Sequence, residues 1–285
     1  MREEARRSGK VPLTPRSAFD RPLPGPIDDV AARAVMRTHS PVWAPVLVAA
    51  VGLVSMSAVL IVIGEAITHL GLLAGLRSAD DHVNATLAAH RTGPWNSFST
   101  FWSHSAETLP IIIGGLLIEI VLAARKRWRD MLLVVIGLAL ELATFLIVNE
   151  IVRRARPSVE KLGIVPTTFS FPSGHTAATI VLYGSIVLLL TVHLRSRSAR
   201  ALPWVLVLLV TIAVGYARVY RGMHHVSDVV TGAIMGIGAL LIAVTATRAS
   251  SIAAQAPAER ARDAEASRPG TPPPARVGQT AEASA

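Results

Sequence analysis

Runs of apolar residues, each close to the length that crosses a lipid bilayer, limit this chain more than any other feature in it. An α-helix rises about 1.5 Å per residue, so roughly 20 apolar residues span a hydrocarbon core. Hydropathy places six such runs at about 44–64, 107–124, 131–152, 175–194, 202–218 and 228–247. Lipid offers the backbone no hydrogen-bond partner, so these runs must be helical. The expected fold is all-α: a polytopic membrane protein built as a bundle of six transmembrane helices. A mean hydropathy of +0.47 with 16% charged residues excludes an ordinary soluble domain.

The segments around this 43–248 membrane domain read differently. Residues 1–42 mix Arg2, Arg6, Arg7, Lys10, Arg16, Arg21, Arg33 and Arg37 with prolines and acids, the composition of a disordered basic arm. A short amphipathic piece from Asp28 to Arg37 is expected to lie on the membrane surface. The arm is too long for a cleaved signal peptide, and the run after it spans on its own. Residues 249–285, with Pro272-Pro273-Pro274, read as a disordered tail. The polar stretch 65–106 is expected to form short interfacial helices, with Trp95 and Trp102 at headgroup depth.

The formal net charge of +9 would suggest a nucleic-acid partner in a soluble protein. Here 20 of the 28 Lys and Arg residues fall on one side of the spans, in the arm, around 125–129, around 195–200 and in the tail. The positive-inside rule accounts for them, makes both termini cytoplasmic and leaves no call for nucleic acid. The absence of cysteine excludes a disulfide, a thiolate metal site and a cysteine nucleophile.

Three polar islands break the outer face: Arg153-Arg154-Ala155-Arg156-Pro157, Phe171-Pro172-Ser173-Gly174-His175, and Arg218 through His224 to Asp228. Each sits at the end of a span, where charge can meet a headgroup without being buried in hydrocarbon. Six of the eight outward basic residues lie in or near them, against the topological bias. Arg156-Pro157 is expected to end the third span, since the residue before proline is pushed from helical geometry. Gly174 lets backbone approach a ligand, Ser173 can cap the following helix or donate to an anion, and His175 stands beside the bound group. His224 and Asp228, four apart, would share a helix face and form a carboxylate–imidazole pair, with His225 a competing partner for Asp228. Arg218 supplies a fork of donors suited to phosphate oxygens.

Arg156-Pro157, Pro172-Ser173-Gly174-His175 and Arg218-x5-His224-x3-Asp228 together resemble the three-part signature of the type 2 phosphatidic acid phosphatase family, whose site is shared with vanadate-dependent haloperoxidases. The resemblance covers roughly residues 60–245. It implies that His224 is the nucleophile of a phosphohistidine mechanism, that Asp228 orients it, and that His175 protonates the leaving group. It further implies that Arg156, Arg218, Ser173 and the Gly174 amide hold the phosphoryl oxygens, with no metal or other cofactor. Two positions depart from the signature: Asn149 occupies the lysine position seven before Arg156, and Ala217 replaces the serine before Arg218. Arg153 or Arg154 is the candidate to replace that missing cation.

Glu119 and Glu141 lie inside spans two and three, and Glu141, Phe145 and Asn149 form a stripe at four-residue spacing that leads toward the islands. Both acids are read as structural, and His69, His82, His90 and His104 as solvated or headgroup-facing. The expected function is hydrolysis of a phosphate monoester or diphosphate on a membrane lipid, such as polyprenyl diphosphate, phosphatidate or phosphatidylglycerol phosphate, at the outer face of a bacterial plasma membrane. The alternatives are a lipid-linked phosphotransferase acting on a sugar or inositol hydroxyl, and a non-catalytic membrane scaffold or transporter. Nothing in the sequence bears on oligomeric state.

Overall fold

A computed structural model describes residues 17–20, 23, 25–191, 194 and 196–266. Arg2, Arg6, Arg7, Lys10, Arg16, Arg21, Arg195 and the proline-rich end of the tail lie outside the described residues. The described elements are α1 (Pro26–Thr38), α2 (Trp43–His69), α3 (Ala74–Ala89), α4 (Gly93–Ser105), α5 (Thr108–Ala124), α6 (Trp128–Val152), α7 (Gly174–Thr191), α8 (Arg197–Tyr220) and α9 (Val226–Ala266).

Helices α2, α6, α7, α8 and α9 are each long and apolar enough to cross a membrane. α5 has 17 residues, about 25 Å of rise, which is short for a span by itself. It joins α4 at a 49° bend, and only taken together are the two long and apolar enough for a sixth crossing. The protein is therefore an all-α polytopic membrane protein, as the apolar runs require.

Burial orders the helices. The spanning window of α7 is 61% buried against 17% for α2, so α7 is central and α2 peripheral. α6 turns Leu133, Val134, Gly137, Leu140, Glu141, Thr144 and Val148 inward, the three-and-four spacing of one helical face. α7 and α9 meet backbone to backbone. A Cβ at Gly232 would overlap the Ser173 carbonyl oxygen, and one at Gly236 would lie 2.8 Å from that of Ala177. Small residues at four-residue spacing thus bring the second and third islands together.

The parts read as arm and tail are ordered where they meet the bundle. α1 does not lie free on the surface: Ala31 and Ala34 are buried against Ala44, Val48, Ala246 and Ala249, because alanines let helices approach closely. Arg248 donates to Asp28 Oδ1 at 2.7 Å and to the Phe19 carbonyl at 2.8 Å. Asp130, fully buried, accepts from Ser17 Oγ at 2.6 Å and the Ala18 amide at 2.9 Å. These bonds satisfy buried charges, which is why the segment holds its place. α9 continues past 248 to Ala266, beyond the expected start of the tail.

The stretch expected as interfacial helices is α3 and α4. Trp95 stacks on Tyr216 of α8 with ring centroids 5.3 Å apart, and Trp102 packs on Phe98 and Phe101 of its own helix. α4 is thereby fixed against α8, at the end of the bundle where the islands lie.

Candidate active site

α8 ends at Tyr220 and α9 starts at Val226, so His224 and His225 belong to the turn between them. Gly222 makes that turn with φ at +72°, and a Cβ there would lie 2.9 Å from the Glu160 carbonyl. His224 Nδ1 is 2.7 Å from the Ser170 carbonyl oxygen and 3.9 Å from Asp228 Oδ2. A carbonyl only accepts, so Nδ1 carries the proton and Nε2 keeps its lone pair.

The expected direct pairing of Asp228 with His224 is therefore corrected. Asp228 Oδ2 accepts from Ser170 Oγ at 2.5 Å, from the His225 amide at 2.8 Å and from His225 Nδ1 at 3.1 Å. The reason is position: Asp228 sits in the first turn of α9 and reaches back to the residue before it, as a helix-capping carboxylate does. It acts on His224 at one remove, by fixing the residue whose carbonyl holds the ring.

The first island is mostly framework. Arg154 is 5% exposed and donates to Asp228 Oδ1 at 2.6 Å, Ser227 Oγ at 2.7 Å and Asp80 Oδ2 at 2.8 Å. Its charge is spent on two buried carboxylates, so it does not replace the missing phosphate cation. Arg153, in left-handed geometry at φ 48°, ends α6 four residues ahead of Pro157 and pairs with the exposed Glu150. Asn149 uses its whole amide on backbone: Nδ2 donates to the Phe169 and Phe171 carbonyls, and Oδ1 accepts from the Phe169 amide at 3.0 Å. It clamps the segment that carries Ser170, and it is not a phosphate ligand. Arg156 ties that same segment to the third island, donating to Phe169 O at 3.0 Å and Met223 O at 2.5 Å. Four of its donor contacts go to Thr168, Phe169 and Met223, which leaves one N–H of the fork for a ligand.

Arg218 is different. It is 4% exposed, and its one bond goes from Nη1 to Ser103 Oγ of α4 at 2.9 Å. Its Nε and Nη2 are buried with no partner. A buried guanidinium with two idle donors is costly unless an anion arrives to take them. At the start of α7, His175 lies in the field of the Arg218 and Arg156 guanidiniums. Ser173 places its hydroxyl 3.0 Å from Thr176 Oγ1, and its own amide on the Asp228 carbonyl at 3.0 Å. The N-terminus of α7 at Gly174 and the buried fork of Arg218 are both features that favour an anion.

Comparison with known proteins agrees with this geometry. The PAP2 superfamily model matches residues 130–251, which hold all three islands. Phosphatidylglycerophosphatase B of Bacillus subtilis is 29% identical over 170 residues, 57% of this chain and 80% of that protein. The crystal structure of a transmembrane PAP2 type phosphatidylglycerolphosphate phosphatase from Bacillus subtilis superposes with a TM-score of 0.55 at 28% identity, covering 68% of this chain and 93% of that one. Over the residues that carry the three islands, the chain resembles the PAP2 superfamily. A further relative, the undecaprenyl-diphosphatase of Sulfolobus acidocaldarius, is 39% identical over 71 residues, 25% of this chain and 30% of that protein.

Several residues around this site are not singled out by the sequence reading. Asp80 and Asn84 of α3 are both buried; Asp80 accepts the Ser227 amide at 3.1 Å, and Asn84 donates to the His224 carbonyl at 3.1 Å. Their spacing of four on one face of α3 was the available signal. Ser103 and Thr100 of α4 hold Arg218 and Arg221, the latter through a 2.7 Å bond. Burial lowers the pKa of Arg221 and Arg156, and Asp228 opposes the effect at Arg156. Asp81, one residue from Asp80, points outward and is 65% exposed.

His224 is pushed down to about 3, first by burial and then by the charge of Arg218, with Asp228 opposing. The ring is thus neutral at working pH. Its folded pKa lies below the unfolded value of about 6.5, so the unfolded chain takes up a proton that the folded one refuses. The corresponding stability is complete above about pH 6.5 and is lost as pH falls below it, by about 2 kcal/mol between pH 7 and 5. Thermal unfolding in detergent will show a larger fall in Tm over that range for the parent protein than for His224→Ala.

Removing the unpaired cation separates binding from folding. Arg218→Met is expected to lower kcat/KM by roughly 10²–10³-fold while raising Tm, since the buried unpaired donors cost about 1–3 kcal/mol. Steady-state kinetics and thermal unfolding on the same preparation check both halves.

Proposed function

We propose that this protein is a PAP2 lipid phosphatase that hydrolyses a phosphate monoester or diphosphate through a phosphohistidine. The observation that carries the reading is Arg218, whose Nε and Nη2 are buried with no partner among the described residues, and whose charge acts on His224, an imidazole with its Nε2 lone pair available. In the first step His224 Nε2 attacks phosphorus, the bond from phosphorus to the leaving oxygen breaks, and His175, which takes a proton from the substrate's monoanion as it binds, gives it to that oxygen. In the second step His175 takes a proton from water, whose oxygen attacks the phosphohistidine and frees His224 and phosphate. Arg218, the remaining N–H of Arg156 and the N-terminus of α7 stabilise the charge that grows on the phosphoryl oxygens. No step needs a metal ion.

The names of the relatives support lipid phosphates as the substrate class: a phosphatidylglycerophosphate in one and an undecaprenyl diphosphate in another. Phosphatidate remains a third candidate. The Lys and Arg asymmetry supports a bacterial plasma membrane with both termini cytoplasmic and the site facing outward. Phosphate release from a panel of lipid monophosphates and diphosphates, in detergent with EDTA, tests the reading. Rapid quench with a phosphorus-labelled substrate should trap a phosphoprotein that survives alkali and decays in acid. Failure to release phosphate from every lipid, or release that EDTA abolishes, would overturn it.

A further inference from the structure

At the end of the bundle remote from the islands, α1 leans across the start of α2 and the middle of α9. A cleft of about 410 Å³ lies between the three, lined among others by Arg33, Arg37, Val51, Leu241 and Ile242. It is separated from Asp228 by about 25 Å along α9, counting 17 residues of helix to Thr245. Its construction is asymmetric. Val51 and Leu241, 59% and 52% exposed, form an apolar wall open to hydrocarbon. Arg33 and Arg37, one turn apart on α1, supply the only charges on its lining among the described residues, and both are exposed.

The cleft is built into the fold. Its floor is closed because Gly52 lacks a side chain: a Cβ there would lie 2.5 Å from Ile242 Cγ2. Its outer wall is held by the Arg248–Asp28 bond at 2.7 Å and by the buried Ala31 and Ala34. Trp43, 64% exposed at the start of α2, is the kind of residue that sits at headgroup level, and it places the arginine end of the cleft near that depth. Positive-inside topology explains basic residues at this end, and Arg125 and Lys126 on the next loop are of that kind. It does not explain a preformed apolar channel ending in two cations.

We propose that this cleft binds one anionic phospholipid of the surrounding leaflet. An acyl chain lies along Val51, Leu241 and Ile242, and the headgroup phosphate bridges Arg33 and Arg37. Charge complementarity selects the headgroup: a zwitterionic lipid would bring its own cation against the arginine pair, whereas phosphatidylglycerol brings none.

Native mass spectrometry of the detergent-purified full chain tests this, with phosphatidylglycerol or phosphatidylcholine titrated in. The first phosphatidylglycerol is expected to bind at least tenfold more tightly than the first phosphatidylcholine, about 1.4 kcal/mol. Arg33→Gln/Arg37→Gln, at exposed positions that carry no fold, should abolish that preference. Val51→Trp, which fills the channel without changing charge, should weaken both lipids. Arg218→Met, which disables the phosphate site at the other end, should leave both affinities unchanged, so the outcome does not depend on the phosphatase reading. Equal affinity for the two lipids, an equal loss in the charge-matched Arg125→Gln/Lys126→Gln control, or a dimer in place of a lipid adduct would overturn the proposal.

Discussion

His224→Ala protein is expected to keep its fold and, on the proposed phosphohistidine mechanism, to lose roughly 10⁴-fold or more of its kcat/KM. Fold retention follows from how the ring is held. His224 makes one side-chain bond, to the Ser170 carbonyl, and the turn that carries it is fixed independently by Asn84, by Gly222 and by the Arg218 carbonyl, which accepts the His224 and Met223 amides. Leaving the Ser170 carbonyl unpaired costs about 1–3 kcal/mol, within the margin of an ordinary domain. Residual activity at the parent's level would place the nucleophile elsewhere. Added imidazole, which fits the space of the missing ring, should restore part of the rate in this variant and none in the parent.

Arg154→Met is expected to do the reverse, to destroy the fold through a residue that touches no substrate. Asp80 and Asp228 are 3% and 0% exposed, and Arg154 is the cation between them, at 2.8 and 2.6 Å. Without it two buried carboxylates face each other uncompensated, a loss of about 3–5 kcal/mol. The yield of monodisperse protein and its midpoint of unfolding in denaturing detergent should both fall sharply. Arg154→Met/Asp80→Asn should recover a part of that loss, because removing one carboxylate removes the repulsion while the amide still meets Ser227. If the double variant is no better than the single, the cost lies in packing and the ion-pair account is wrong.

The contrast between these two arginines shows where residue order is informative and where it is not. Apolar run length announces the spans, and the islands announce where polar side chains gather at one end of the bundle, because both depend on local chemistry. What Arg154, Arg156 and Asn149 do was not legible. Each is one of several polar residues at the end of a span, and its partners lie 12 to 74 positions away. Asn149 looked like a lost cation because its position was compared with lysine, while its amide has the donors and acceptor to clamp a strand of backbone. The pairing of His224 with Asp228 failed for a different reason. Four-residue spacing puts two side chains on one face only inside a helix, and α9 begins two residues after His224. Asp80 and Ser103, 147 and 115 positions from their partners, lay in a stretch where polarity reads simply as interface.

The bonds from Arg248 to Asp28 and the Phe19 carbonyl join positions 220 and 229 residues apart. During synthesis the first helix therefore leaves the ribosome long before its anchor exists, and it must wait for the last span to be inserted. The same last span brings Asp228 to Ser170, whose carbonyl holds the His224 ring. A nascent chain halted anywhere before α9 would be threaded through the membrane yet have neither its first helix docked nor its His224 ring oriented, so assembly of the two ends of the molecule is a single late event.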